Sequence, residues 1–309
     1  LRQLCRLFIL CSECDKNDMS KKTLNETNLQ ALGAERLAAL LMEVSTGSAE
    51  IKRRLRLELS HNLGADALAH DVRKRLASIR RTKGYVGWRK RKALIKDLGT
   101  QAAMITDKIA ADAPSEAFDL LWQFIELAPS VYARVDDSRG DVSEVFGAAL
   151  QHFTQIGPRA GQEPEALAPR IWGAVRDSGY GEFDGIITLL APTLGDAGLD
   201  QLKALIEAHE DDAQDTEEDH AALQFLRDLR GSSGGFVSGQ KQRLIRSSLQ
   251  EIAVAQGDTD AYIAQYSADD LARPRIAAEV ARLYLDQGRA QDGLDVLTGV
   301  DPASSGNAA

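Results

Sequence analysis

The chain has 309 residues, of which 44% are apolar, 27% charged and 6% aromatic, and its formal net charge at pH 7 is −9. This composition excludes a globally disordered chain, because the apolar fraction is large enough to form one sizeable core or two modest ones. No apolar run approaches the roughly 18 to 20 residues that span a bilayer, so we expect no membrane insertion.

The first 18 residues differ from the rest of the chain. They contain all three cysteines, Cys5, Cys11 and Cys14, and the first methionine, Met19, opens a run typical of a cytosolic start. We therefore interpret residues 1–18 as a non-native upstream leader. The body without cysteines fits a reducing cytoplasm, and no second cysteine pair or nearby histidine completes a zinc site.

From Leu24 onward, apolar residues recur at three- and four-residue spacing, which predicts amphipathic helices. No stretch shows the period of two expected of a half-buried strand. The apolar stripes are Leu37, Leu40, Leu41 and Val44; Ile51, Leu55 and Leu59; Leu68, Val72, Leu76 and Ile79; Phe118, Leu121, Trp122 and Ile125; Val142, Val145, Phe146, Ala149 and Phe153; and Leu167, Ile171, Trp172 and Val175. Each helix has one apolar face, which must be buried against a neighbour.

These stripes predict an all-α protein made of stacked antiparallel helical hairpins, in the manner of an α-solenoid or helical repeat. Short turns place each helix beside its neighbour in sequence, so the order along the chain should match the order in space. Each fully buried Leu or Ile stabilises by about 1.5 to 3 kcal/mol, so a stack of hairpins is stable where one hairpin is not.

A cationic block is the sharpest feature of the sequence. Between Lys52 and Lys96 lie 15 of the 37 Lys and Arg residues against three acids, which makes this block net +12 while the rest of the chain sums to −21. Three predicted helices that bury their stripes would place these cations on one outer surface. The candidate surface for a polyanion or partner consists of Lys52, Arg53, Arg54, Arg56, Arg73, Lys74, Arg75, Arg80, Arg81, Lys83, Arg89, Lys90, Arg91, Lys92 and Lys96.

Three partners suit such a surface. Nucleic acid would be held by salt-sensitive phosphate contacts, and the others are an anionic membrane surface and an acidic protein surface, including this chain's own acidic run 210–219. Tyr85 and Trp88 could stack on bases. At the start of a helix, however, we expect both to be core or hairpin-sealing residues.

No catalytic, metal or cofactor signature is present. The five histidines are scattered singly, so no zinc-hydrolase motif forms. Residues 136–141 resemble the start of a calcium loop but lack its glycine and final glutamate, and we instead expect Asp141 to cap a helix. Residues 234–241 resemble a phosphate-binding loop, but Gln240 stands where that loop has its lysine. We therefore expect no enzyme activity and no cofactor.

The C-terminal part has its own pattern. Ala281, Tyr284, Gly288, Gly293 and Leu297 have the spacing of a tetratricopeptide-type hairpin, in which small residues allow close helix approach. The predicted organisation, after the leader, is a helical body 19–208, an acidic and Gly/Ser-rich connector 209–239 with one short helix, a C-terminal helical hairpin unit 240–302, and a disordered tail 303–309.

Three motifs resemble an uncharacterised bacterial helical family, a domain of unknown function. They are residues 85–89 (YVGWR), the turn 135–141 (VDDSRGD), and 276–283 (IAAEVARL) with 288–290 (GRA). The first two are also similar to the helical region that accompanies SWIM zinc fingers, but the body has no cysteines for that finger. The resemblance covers about residues 24–300, implies a helical-repeat body and transfers no catalytic residue.

We therefore predict a cytoplasmic, non-enzymatic protein-interaction scaffold whose cationic surface and C-terminal hairpin dock an unidentified protein partner. The alternative is a nucleic-acid-associated protein that binds the phosphate backbone through residues 52–96. The sequence leaves the oligomeric state open.

Overall fold

The computed structural model describes residues 22–219 and 234–298, and the chain divides into two compact units, Leu1–Leu63 and Gly64–Ala309. Both units are built from α-helices. Within the described residues there is no β-strand, only an isolated parallel bridge between Val86 and Val135. The all-α prediction is thereby confirmed.

In the described part of the first unit, residues 22–63, the helices are α1 (Glu26–Gln30), α2 (Ala34–Ser45) and α3 (Ala49–Leu63). The side chain of Asn25 caps α1 by accepting a hydrogen bond from the Asn28 N–H at 2.8 Å. Helices α2 and α3 pack together. In residues 22–63 the buried side chains are those of Ser45, Leu57 and Ser60.

The apolar stripes of this first unit are only partly buried, contrary to the expectation. Leu41 is 47% exposed, Val44 60% and Leu59 64%. Helices α2 and α3 bury little more than the line of contact between them, so the outer part of each stripe stays in solvent.

The second unit holds the remaining helices. They are α4 (Ala65–Arg81), α5 (Trp88–Ala103, continued by a π-helical turn Met104–Ile109 and a last α turn Ala110–Asp112), α6 (Pro114–Ile125), α7 (Ala128–Tyr132), α8 (Asp141–Gln151), α9 (Phe153–Ile156, followed by a 3-10 turn Gly157–Arg159), α10 (Pro164–Asp177), α11 (Ile186–Asp219), α12 (Gly234–Gln256), α13 (Thr259–Ile263), α14 (Ala268–Leu271), α15 (Pro274–Asp286) and α16 (Ala290–Thr298). Sequence neighbours pack most extensively, namely α10 with α11, α11 with α12, and α15 with α16.

Some contacts pass over one or two helices in the sequence. Helix α4 packs against α6, and α8 packs against both α5 and α6. The order of helices in space therefore follows the chain in large part but not strictly. Helix α11 is itself interrupted at Gly195, whose φ of +59° breaks the helical conformation.

An aromatic cluster forms the centre of the second unit. The rings of Phe118 and Phe153 meet edge to face at 5.0 Å between centroids, and Trp122 contacts Phe153 at 5.7 Å and Phe183 at 5.1 Å. All four side chains are buried. Edge-to-face pairs add about 0.5 to 1.5 kcal/mol each beyond the area that they bury. This cluster joins α6 to α9 and gives the second unit a core of its own.

The predicted C-terminal hairpin is formed by α15 and α16. A Cβ atom on Gly293 would lie 3.0 Å from the carbonyl oxygen of Ala281, so the two helices touch at their small residues. Gly288 has a φ of +74° in the turn. Val296, rather than Leu297, packs into the local core, and Leu297 is 45% exposed. Its likeness to a tetratricopeptide repeat stays a prediction.

Several sequence predictions fall outside the described residues. These are the leader 1–18, the middle of the connector at residues 220–233 with its predicted short helix, and the tail 303–309. The end of the connector differs from the prediction of a Gly/Ser-rich loop, because α12 begins at Gly234. The acidic run 210–219 differs from the loop that its lack of apolar residues predicts, because α11 continues to Asp219. Glu, Gln and Ala have high helix propensity, and this is enough to extend a helix that already exists.

Within the described residues, no helix combines the length and the apolar character needed to cross a membrane.

Candidate interaction surface

Two of the motifs that are distant in sequence meet in the structure. The N–H of Val86 donates to the carbonyl oxygen of Arg134 at 2.8 Å, and Val86 forms the parallel bridge with Val135. The segment before α5 is therefore fixed against the segment before α8. This pairing joins the aromatic helix start 85–89 to the turn 135–141, and it was not readable from either motif alone.

Asp137 holds the turn before α8. Its carboxylate accepts hydrogen bonds from the Val142 N–H at 2.8 Å, the Ser143 N–H at 2.8 Å and the Ser143 hydroxyl. Burial opposes ionisation, but these hydrogen bonds, together with the charge of Arg91, lower the pKa of Asp137. The prediction that Asp141 caps α8 is wrong, because Gly140 at φ +74° lets the chain fold back so that Asp137 reaches the free N–H groups.

The structure sorts the predicted cations into three groups, and the first group is structural. Arg91 donates to the carbonyl oxygen of Asp136 at 2.9 Å, pairs with Asp141 at 3.3 Å and is only 16% exposed. The Nε of Arg75 donates to Asp97 at 2.9 Å, and Asp97 is buried. Both arginines tie α4 and α5 into the fold, so neither is free to bind a polyanion.

The second group is paired with acids at the surface. Arg73 pairs with Glu116, Arg80 pairs with Glu126 at 3.3 Å, and Arg54 pairs with Glu58 at 2.8 Å. Arg73 and Arg80 are seven residues apart and therefore lie on the same face of α4, which is turned toward α6. Exposed pairs of this kind contribute little stability, but they neutralise much of the charge that the sequence assigns to the surface.

The third group is exposed, and within the described residues its members have no ion-pair partner: Lys52, Arg56, Lys74, Arg81, Lys83, Arg89, Lys90 and Lys92. Of the two remaining cations, Arg53 is half-buried and Lys96 has a polar contact of its own. Five of the eight lie between Arg81 and Lys92, and no acid occurs from residue 72 to residue 96. The predicted surface is thus reduced to a short cationic segment within the second unit, together with scattered neighbours.

Tyr85 and Trp88 are not core residues, which corrects the expectation. Tyr85 is 71% exposed and Trp88 is 77% exposed, and the guanidinium of Arg89 lies 5.0 Å from the centroid of the Trp88 ring. Tyr85 precedes the paired Val86, and in an extended segment successive side chains point to opposite sides, so Tyr85 lies on the side away from the half-buried side chain of Val86. We call Arg81, Lys83, Tyr85, Trp88, Arg89, Lys90 and Lys92 the 81–92 surface.

A cleft of about 590 Å³ lies between α5 and α8. Small residues line it, among them Gly99, Ala102 and Ala148, and Asp107 and Glu144 place acids on its walls. Sequence reasoning missed it because the lining residues belong to two helices about 45 positions apart.

The other candidate residues stay apart. His61, His70 and His209 lie on different helices and His152 lies between α8 and α9, and no group of three His, Cys, Asp or Glu side chains in the described ranges is arranged to hold a metal ion. The three cysteines lie outside the described residues.

The fold and the surface together define the class: an all-α helical protein that presents an aromatic and cationic segment. A family model matches residues 19–309, and it describes a family of unknown function, DUF6880. The chain belongs to this family, which confirms the resemblance to a domain of unknown function. The likeness to the region that accompanies SWIM zinc fingers stays a prediction. No curated protein and no solved structure matches the chain.

Proposed function

We propose that this protein is a non-enzymatic interaction scaffold, which uses the 81–92 surface to dock an acidic segment of a partner protein. One observation carries the proposal: Trp88 and Tyr85 stand in solvent among cations that have no acid partner in the described residues. Trp, Tyr and Arg are the residues most enriched at the energetic centres of protein interfaces.

The first turn of α5 supports an anionic partner. Arg89, Lys90 and Lys92 lie in or next to that turn, which contains no acid. The positive end of the helix dipole disfavours cations there by about 0.3 to 1 kcal/mol each. The sequence thus places positive charge where it reduces the stability of the free protein. A carboxylate-rich segment bound at this turn would remove the repulsion.

The surface is also held in a fixed conformation before any partner arrives. The bridge from Val86 to Val135 and the contacts of Arg91 with Asp136 and Asp141 anchor both ends of the segment. A segment that is already ordered loses less conformational entropy on binding. This arrangement suits a docking surface better than a loop that must fold on its partner.

Single-stranded nucleic acid is the second candidate, favoured by the exposure of the two rings. Bases stack on aromatic side chains with a gain of about 1 to 3 kcal/mol per base. The guanidinium of Arg89 already lies over the ring of Trp88, however. A base would have to use the opposite ring face or displace Arg89, whereas a carboxylate would bind Arg89 without moving it. We therefore rank the acidic protein first.

A two-channel capture experiment tests the proposal. Immobilised full-length protein is offered a lysate of its source organism together with labelled single-stranded oligonucleotides of arbitrary sequence. We expect a protein rich in Asp and Glu to be retained by the wild type and lost with Trp88→Ala and with the triple change Arg89→Gln, Lys90→Gln and Lys92→Gln.

The matched control is Lys52→Gln, Arg56→Gln and Lys74→Gln, which removes the same charge from exposed positions of the same cationic block. This control should retain the partner. Oligonucleotide capture that falls steeply with salt and disappears in Trp88→Ala would favour the second candidate instead. Capture that is unchanged in every variant would refute a role for the 81–92 surface.

A further inference from the structure

A second cleft in the Gly64–Ala309 unit has a different chemistry. It has a volume of about 680 Å³ and lies between the end of α10, the middle of α11, the side of α12 and Tyr266. Clefts of roughly 300 to 1,000 Å³ are the usual size of small-molecule sites. The residues that line this cleft are spread over positions 172–266, so no short stretch of the sequence predicts it.

Four cations line this cleft: Arg176, Lys241, Arg243 and Arg246. No Asp or Glu is among the described residues of its wall. Three of the four cations also have interactions of their own: Arg176 pairs with its neighbour Asp177 at 2.9 Å, Arg246 reaches Asp270 at 3.7 Å, and Arg243 has a further contact. The described residues that line the cleft therefore carry more positive than negative charge, which attracts anions.

Aromatic rings form the other part of the wall. Trp172 is 94% buried and meets the ring of His209 edge to face at 5.5 Å between centroids. Tyr266 lies with its ring 5.8 Å from the guanidinium of Arg246. Cations and aromatic faces therefore share one cleft. The Nε2 of Gln250, which also belongs to the wall, is a buried donor with no hydrogen-bond partner.

We propose that this cleft binds a nucleotide-type ligand, with its phosphates among the four cations and its planar ring against Trp172 and Tyr266. Arginine and lysine are the side chains that proteins use to bind phosphate. A ring of a purine or pyrimidine can pack on an aromatic face and accept a hydrogen bond from a donor such as Gln250. The cleft is separate from the 81–92 surface, so this inference does not depend on the proposed function.

The same chemistry occurs in free nucleotides and at the phosphorylated end of a nucleic-acid strand. The experiment therefore titrates the full-length protein with ATP, AMP, pyrophosphate and a 5′-phosphorylated oligonucleotide by isothermal calorimetry at 0.15 M salt. We expect ATP to bind more tightly than AMP, because it brings more phosphate to the cations, and more tightly than pyrophosphate, because it also brings the ring.

Lys241→Gln and Arg246→Gln should each weaken ATP binding about tenfold, since each removes one charge-assisted contact. Arg275→Gln is the matched control: Arg275 is exposed on α15 and does not line the cleft, so binding should not change. Trp88→Ala should also leave ATP binding unchanged, which separates this site from the docking surface. Circular dichroism verifies that each variant is folded.

Three results would overturn the proposal. These are no heat of binding with either millimolar ATP or the 5′-phosphorylated oligonucleotide, binding that is equal in Lys241→Gln, Arg246→Gln and Arg275→Gln, and pyrophosphate binding as tight as that of ATP, which would show that the site holds no ring. If the oligonucleotide binds and free nucleotides do not, the ligand of this cleft is the phosphorylated end of a strand and not a free nucleotide.

Discussion

At the scale of single residues, neighbouring cations of similar appearance have opposite roles. Arg75 lies against buried Asp97, while Lys74, next to it in sequence, is exposed and has no ion-pair partner in the described residues. The sequence shows only a run of three cations at 73–75. Burial, not residue type, decides which of them stabilises the fold and which is available to a partner.

This difference gives a direct prediction. Arg75→Gln should lower the free energy of unfolding by about 3 kcal/mol, because it leaves the buried carboxylate of Asp97 without its charge partner. Lys74→Gln should change it by less than about 0.5 kcal/mol. Urea unfolding followed by circular dichroism measures both. Equal effects in the two variants would show that the ion pair of Arg75 is not structural.

Asp137 gives a second residue-scale prediction. Asp137→Ala should cost about 1 to 2 kcal/mol at pH 7, since it removes the acceptor for the first N–H groups of α8. Asp137→Asn keeps one acceptor and should cost less.

The pH dependence of this effect follows from the lowered pKa of Asp137. A carboxyl whose pKa is lower in the folded state contributes stability above its unfolded pKa of about 4 and loses it as the pH falls through the folded value. The stability gap between wild type and Asp137→Ala should therefore narrow as the pH is lowered below about 4. A gap that is constant from pH 7 to pH 3 would contradict an ionised cap.

At the scale of helices, the C-terminal hairpin shows what a small residue does. Gly293→Ala should destabilise the protein by about 1 to 2 kcal/mol, because the new Cβ would lie 3.0 Å from the backbone oxygen of Ala281. Gly147→Ala, in the exposed middle of α8 with open space around it, should instead stabilise by about 0.5 to 1 kcal/mol. Thermal unfolding compares the two, and stabilisation by both substitutions would mean that α15 and α16 are not in close contact.

The sequence predicted helices well and their contacts less well, for a physical reason. Apolar spacing is local, so stripes such as Phe118, Leu121 and Trp122 predict a helix and its buried face. The bridge from Val86 to Val135 joins two segments that are almost 50 residues apart, and the sequence of neither segment indicates that they pair. Trp88 begins α5 two residues after Val86, and its 77% exposure is a property of the fold that apolar spacing along the chain does not show.

At the scale of the whole molecule, the cationic block does not act as one surface. Arg75 and Arg91 make structural contacts, and other arginines of the block, such as Arg73, form ion pairs with acids. What remains is concentrated in the 81–92 surface, with two rings in solvent, while a separate cleft lined by Arg176 and Lys241 holds a second concentration of positive charge. Net charge along the sequence indicated the first and missed the second, since Lys241, Arg243 and Arg246 are only three cations in a short stretch and the fold alone brings Arg176 to them.

Photo-crosslinking tests the central claim most directly. A photoreactive phenylalanine derivative is placed at Tyr85, in the 81–92 surface, or at Tyr180, which is also exposed, at 59%, but lies outside it. We predict that irradiation of intact cells crosslinks position 85, and not position 180, to a protein rich in Asp and Glu, and that adding Trp88→Ala abolishes the product. Equal crosslinking at both positions, or a product at position 85 that nuclease removes, would contradict docking of an acidic protein on this surface.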